Sequence, residues 1–277
     1  MLNKKNLKEK HRELLTNGSA LLATNFYNFE TLKGILEAAS QVRQPVILQL
    51  TKSSIDYMSL PIAVKMARAA LDYYEVEGWI HLDHSDSYEL AAECLEAGFD
   101  SVMIDASEKP IEENISITRK VVALARKYNA NVEAELGYVA KLGQSTEKMG
   151  FTEPEEAKRF VTETGVDALA VAIGSAHGFY KEEPKLDLER LSQIHAVTSA
   201  ALVLHGGSGI PAHMLKEAIK RGICKINLAT EIKNIFMSEL KSRMLNNTEI
   251  DLRKVFPHAI HAVTALVKEK LYIVKNA

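Results

Sequence analysis

Cysteine is nearly absent: the 277 residues include only Cys94 and Cys224. The two stand far apart and outside any Cys-x-x-Cys or Cys/His spacing. That excludes a disulfide framework, a zinc-finger module and a dithiol redox centre, and predicts two buried thiols in a reducing, cytoplasmic setting. Neither sign of charge dominates, since 34 Lys+Arg against 36 Asp+Glu leave a formal net charge of −2. A nucleic-acid partner, which calls for a basic stripe, is excluded. No run reaches the ~18 apolar residues of a membrane span. The Lys-rich segment Met1–Arg12 has no apolar core, so it does not read as a secretory signal. Low-complexity tracts are missing too. With 47% hydrophobic and 25% charged positions the chain is expected to fold around one large core without disulfides.

What is present is a regular alternation. Short runs rich in Val, Ile and Ala recur at Ala20–Phe26, Pro45–Thr51, Gly78–His84, Asp100–Ser107, Asn131–Gly137, Ala168–Gly178, Ala201–Gly209 and Cys224–Thr230. Between them lie stretches with apolar positions three and four apart, such as Leu32, Ile35, Leu36 and Ala39. Gly98, Gly165 and Gly222 follow last helical turns, where a residue at positive φ is needed. Strands alternating with helices predict βαβ units and a parallel sheet, and eight units predict a single (β/α)8 TIM barrel. A doubly wound open sheet is the rival, but the GxGxxG turn it often carries is missing after Phe26. The whole chain, 1–277, reads as one barrel domain with its core over about 20–247. An extra helix at Asn6–Thr16 is expected to plug the bottom of the barrel. A further amphipathic helix at Asp251–Val274 is expected to pack on its own barrel or on a partner subunit.

Barrel active sites lie at the C-terminal ends of strands. Asn25 and Thr51 end the first two runs, His81-Leu82-Asp83-His84 the third and Asp105-Ala106-Ser107 the fourth. Histidines at the third, sixth and seventh ends, His84, His177 and His205, match a catalytic zinc arrangement of three imidazoles and an open position. Asp83 is placed to act as acid/base beside such a metal. His81 reads as structural, one layer lower. The Gly206-Gly207-Ser208-Gly209 turn before a helix, with Asn227–Thr230 on the next strand, predicts a phosphate site. Glu133 and Glu135 share a strand face and need a metal, a lysine or a substrate hydroxyl nearby, a structural ion pair being the alternative. Lys225 reads either as a Schiff-base lysine or as the partner closing an ion pair in the lower barrel.

Together, HLDH at 81–84, VMIDAS at 102–107, VEAELG at 132–137, TGVDALAVAIGSAHGFY at 164–180, LVLHGGSGIP at 202–211 and KINLATE at 225–231 resemble the class II, metal-dependent ketose-bisphosphate aldolases. The resemblance spans about residues 20 to 240, and the last motif is closer to the tagatose-bisphosphate than to the long fructose-bisphosphate branch. It implies that His84, His177 and His205 bind a catalytic Zn2+ and that Asp83 is the acid/base on the C4 hydroxyl. Asp105 and Glu135 then lie near the metal and serve a second metal position. Asn227 stabilises developing charge. Gly178, Gly206, Gly207, Ser208, Asn227, Leu228, Ala229 and Thr230 contact phosphate and dihydroxyacetone phosphate, with Asn25 and Thr51 on the substrate side. Carbonyls around Gly178 and Gly206 are implied to hold Na+ or K+.

One departure falls in Tyr138–Phe151, which is shorter than the family's loop and lacks its Gly-Gly-x-Glu-Asp; Glu147 is the only acid there and is the expected C3 proton-transfer group. The implied reaction is retro-aldol cleavage of a ketose 1-phosphate or 1,6-bisphosphate, of fructose or tagatose type, to dihydroxyacetone phosphate and an aldehyde. The alternatives are a substrate modified at C6, such as 6-deoxy-6-sulfofructose 1-phosphate or a deoxy-keto acid phosphate, and a non-catalytic barrel subunit of an aldolase complex. In relatives the C-terminal helix packs at a subunit contact, so a homodimer or homotetramer is expected.

Overall fold

Apolar β-branched runs interrupted at fixed intervals by amphipathic helices leave the backbone one economical closure. In the computed structural model, which describes residues 5–141, 150–180, 182–245 and 247–275, that closure is a parallel barrel. Its strands are β1 (Leu21–Asn25), β2 (Val46–Leu50), β3 (Gly78–Ser85), β4 (Ser101–Ile104), β5 (Asn131–Leu136), β7 (Ala168–Val171), β9 (Ala201–Leu204) and β10 (Ile223–Leu228), with β1 pairing β10 to close the ring. Two short strands, β6 (Ala140–Lys141) and β8 (Ala176–His177), form a separate parallel pair above it. The helices are α1 (Leu7–Thr16), α2 (Phe29–Val42), α3 (Lys52–Met58), α4 (Leu60–Tyr74), α5 (Tyr88–Glu96), α6 (Ile111–Ala125), α7 (Pro154–Thr164), α8 (Leu188–Val197), α9 (Ala212–Lys220), α10 (Thr230–Met244) and α11 (Leu252–Lys275).

Two sequence expectations need correction. The run Ala168–Gly178 is not one strand, because the chain leaves the barrel after β7 through Gly174 at φ 105, where a side chain would meet the Lys185 carbonyl oxygen at 2.3 Å. The segment resumes as β8, off the barrel wall. Helix α3 was not anticipated; Thr51, the residue after β2, caps it by accepting the Ser54 N–H.

Helix α1 closes the N-terminal end of the barrel. Leu7 and Leu14 pack on Leu21, Ala23, Ile47 and Trp79, and the Trp79 Nε1–H donates to the Lys5 carbonyl. The apolar face of α11, including Val255, Ala259, Val263, Val267 and Leu271, is buried in the main core. Gly34 of α2 lets α11 approach closely, for a Cβ there would lie 2.9 Å from the Ile260 carbonyl oxygen and from the Val263 side chain. At its far end α11 meets the start of the barrel, where Ala20 N–H donates to Val274 O at 3.0 Å. No helix among the described residues is long and apolar enough to cross a membrane.

Candidate active site

In a regular strand Asp83 and His84 would point to opposite faces. They do not, because β3 carries a bulge against β4: Leu82 pairs Val102 and Ser85 pairs Ile104, so two residues oppose the single Met103. His84 takes φ 51, a left-handed conformation that a residue with a Cβ adopts at a cost of about 1–3 kcal/mol. The cost is offset by delivering both side chains to the same cavity.

That cavity, of about 350 Å³, opens at the C-terminal ends of the strands. Asn25, Thr51, Asp83, His84, His177, Gly178, His205, Gly206, Ser208, Asn227, Ala229 and Thr230 line it. Gly207 and Leu228 are not among its lining residues. Leu228 is buried in the apolar core, and the Gly207 N–H is taken by the Asn227 carbonyl at 3.0 Å. Gly207 is needed for space instead, since a Cβ would lie 2.7 Å from Ile226 Cγ2. Glu147 lies outside the described residues.

The three histidines come from β3, β8 and the end of β9, and their ligating atoms all lie within 4.8 Å of one another. His84 Nε2 and His205 Nδ1 are 3.0 Å apart. Their outer nitrogens are occupied: His84 Nδ1 is 2.8 Å from Asp105, and His205 Nε2 is 2.8 Å from Glu133. A ring nitrogen facing a carboxylate carries the hydrogen, so when both rings are neutral two lone pairs are turned toward each other. Burial, with the nearby His205 and His84 charges, depresses His177 to about 3, which leaves it neutral and ligand-ready. Burial likewise lowers His205. His84 goes the other way, to about 9: burial opposes its charge, but the Asp105 hydrogen bond and the Asp83 and Glu135 charges outweigh it. The carboxylates thus make this point favourable to a positive charge, and the donor set fits a zinc ion.

Behind His84, Asp105 accepts from the Ser107 N–H and hydroxyl, and the same hydroxyl reaches Glu135 at 3.3 Å. Burial and the Asp105 charge push Glu135 up to about 8, and its Oε2, 3.8 Å from His205 Nδ1, accepts no hydrogen bond among the described residues. His84, Asp105 and Glu135 form a second group within metal-ligand reach.

Asp83 is held by three amides. Asn25 Nδ2 donates to Oδ2 at 2.9 Å, and Gln49 Nε2 and Asn227 Nδ2 each approach Oδ1 at 3.3 Å. Burial would raise its pKa, but the His84, His205 and Lys225 charges and the Asn25 bond hold it below the usual value, so Asp83 is a carboxylate ready to accept a proton. On the opposite wall α10 begins. Its Ala229 N-cap offers no side-chain bond, and Ser208 caps the helix from the neighbouring loop by accepting the Glu231 N–H. The N-terminus of α10, Ser208 and the Gly206 turn make a concave, dipole-positive wall suited to a phosphate. Tyr180 braces this side, accepting from Ala176 N–H and donating to the Gly206 carbonyl.

Several contributors escaped sequence reasoning. Gln49 is a lone amide inside the apolar run of β2, a signal open to reading; Ser107 and Tyr180 stand within the quoted motifs, but their bonds run between loops. Lys233, one turn into α10, stands 5.6 Å from the Tyr27 ring centroid, and with Ser53 both line the cavity. Lys225 does not reach the cavity. It is 1% exposed and pairs with Glu133 at 2.6 Å, closing the lower-barrel ion pair.

The fructose-bisphosphate aldolase class-II family model matches residues 5–277. Among solved structures, the YdjI aldolase from Escherichia coli K12 is 32% identical with a TM-score of 0.87, the match covering 97% of this chain and 96% of that one. A Coccidioides immitis protein is 28% identical with a TM-score of 0.89, covering 99% and 97%. The fructose-bisphosphate aldolase (Fba) from Campylobacter jejuni, 21% identical with a TM-score of 0.82 over 97% and 93%, shares the fold. With a barrel, a histidine cluster and a family match running the length of the chain, this protein belongs to the class II fructose-bisphosphate aldolase family, the aldolases.

Proposed function

We propose that the chain is a zinc-dependent aldolase cleaving a ketose 1-phosphate or 1,6-bisphosphate to dihydroxyacetone phosphate and an aldehyde. The observation that carries this reading is the Asp83 carboxylate, pinned by three amides beside the histidine cluster. His84, His177 and His205 would hold the metal, which when bound supplies a Lewis acid for the substrate ketone and for the charge developing on the dihydroxyacetone half. The wall of Ser208, Gly206 and the α10 N-terminus holds the C1 phosphate and fixes the sugar in register. Asp83 then accepts the C4 hydroxyl proton as the C3–C4 bond breaks and its electron pair passes to the dihydroxyacetone half. The aldehyde leaves toward the mouth lined by Tyr27, Ser53 and Lys233, and a proton taken up at C3 completes dihydroxyacetone phosphate. Asn227, bonded to Asp83 and 3.1 Å from His205, presents its amide to the negative half of the reacting molecule. In condensation Asp83 returns the proton to the new C4 oxygen.

Lys233 favours an anionic group at the far end of the substrate. A Schiff base on Lys225 is disfavoured by its burial and its bond to Glu133. The test is a panel of ketose 1-phosphates differing at C4 and C6, followed by dihydroxyacetone phosphate release. Release from at least one, lost on chelation, supports the proposal. No release from any member sinks it.

A further inference from the structure

Below the three histidines the barrel holds a second polar layer that does not line the cavity. Lys225 from β10, Glu133 from β5, His81 from β3 and Ser101 from β4 meet there, all buried. On the neighbouring strands Ala168 stands in register with Glu133 and Val203 with Lys225. Removing two charges from water into such a layer costs several kcal/mol per ion, and the pairing only offsets it. A hydrophobic pair would serve stability as well, so stability does not account for the choice of residues.

The bonding pattern does. Glu133 divides its oxygens: Oε2 lies 2.6 Å from Lys225 Nζ, and Oε1 lies 2.8 Å from His205 Nε2. Lys225 is steadied on its other side by His81 Nε2 at 3.4 Å, whose Nδ1 is 2.9 Å from the Ser101 hydroxyl. A carboxylate facing Nε2 requires the hydrogen to be on that nitrogen, so the lone pair is on Nδ1. Nδ1 is the atom that faces His84. Two groups compete: Glu135, whose Oε2 is 3.8 Å from Nδ1, beyond hydrogen-bond distance, and the Asn227 amide, whose Nδ2 lies 3.1 Å from the same Nε2 and would impose the opposite tautomer by donating to it. The bond to the charged oxygen is the shorter and, for an ionised acceptor, roughly twice as strong.

We propose that the Lys225–Glu133 pair is a positioning device: it fixes His205 in the Nε2–H tautomer and aims Nδ1 at the metal position. The proposal rests on the three histidines being ligands and is independent of which substrate is cleaved. Neither Glu133 nor Lys225 touches substrate in this scheme. Each acts through His205.

The test compares two paired substitutions that each remove both charges, so that no buried ion is left alone. Glu133→Leu with Lys225→Met deletes the acceptor at Nε2. Glu133→Gln with Lys225→Met keeps a neutral one. Zinc affinity is read by chelator competition, and the His205 tautomer by 15N-imidazole NMR of the zinc-loaded wild type. The expected results are a proton on Nε2 in the wild type and a roughly 10- to 100-fold loss of zinc affinity in the Leu/Met variant, largely restored in the Gln/Met variant. Wild-type affinity in the folded Leu/Met variant, equal losses in both variants, or a wild-type proton on Nδ1 would each overturn the proposal. The NMR result needs no variant to fold. A wild type that binds zinc and cleaves no ketose phosphate refutes the aldolase reading while leaving this one standing.

Discussion

His84 Nε2 and His205 Nδ1 point at each other across 3.0 Å, while Asp105 and Glu133 hold the opposite edges of the two rings. Two imidazole lone pairs at that separation repel unless a cation or a proton lies between them. The first prediction follows from that relationship. Dialysis against EDTA abolishes turnover, and one equivalent of zinc per chain restores it, checked by elemental analysis alongside the assay. Retained turnover in metal-free protein, or covalent trapping of substrate on Lys225 by borohydride, would contradict it.

Asp83→Ala lowers turnover by about 10²- to 10⁴-fold, the range expected for loss of a positioned acid/base. Zinc content stays at the wild-type level, because Asp83 is bound by Asn25, Gln49 and Asn227 and is not one of the three ligands. The pair of measurements separates a lost proton acceptor from a collapsed metal site.

Lys233→Ala raises KM for substrates with an anionic far end and leaves kcat near wild type, since Lys233 sits at the mouth beside Tyr27, away from the bond being broken. With a substrate neutral at C6 the variant and the wild type behave alike. Equal effects on both substrates would remove Lys233 from substrate selection.

Acid stability carries the signature of the buried plug histidine. Burial, then the Lys225 charge, holds His11 at about 4 in the fold, against an ordinary value of 6.5. The unfolded chain therefore takes up the proton first as pH falls. The stability linked to His11 is fully present above about 6.5, declines as pH drops toward 4, and levels off below. Urea midpoints of wild type and His11→Phe, compared across that window, diverge in the direction of a wild type that weakens faster. Parallel curves would refute it; metal linkage, common to both proteins, cancels in the difference.

Gly206→Ala is expected to destabilise by more than about 2 kcal/mol and to abolish turnover. Its φ is 68, and a Cβ there would lie 2.3 Å from the Ala176 carbonyl oxygen, a backbone atom that cannot swing aside. Thermal melting and the turnover assay check both halves.

The barrel was legible because its determinants are local: β-branched runs, three-and-four spacing, and glycines after last turns. Histidines at strand ends were legible for the same reason. What escaped depends on geometry between strands. Strict alternation would send His84 away from Asp83, and only pairing with β4 reveals the bulge that turns it back. Leu228 and Gly207 sit in the right motif but turn into core and backbone. Glu133 was open between ion pair and substrate contact; the partners that decide it, Lys225 and His205, arrive from strands far along the chain.

The bond from Ala20 to Val274 has a consequence for biosynthesis. A ribosome delivers α11 long after β1, yet the last turn of that helix holds the residue that leads into the first strand. Contacts of such sequence separation are slow to form, because the loop must be closed before they contribute. The nascent chain therefore carries an unclosed sheet edge, with its strand-end histidines in solvent, until β10 emerges to pair with β1. Barrel closure and assembly of the histidine cluster both wait on these distant pairings, which makes newly made chains, more than mature ones, the species at risk of aggregation.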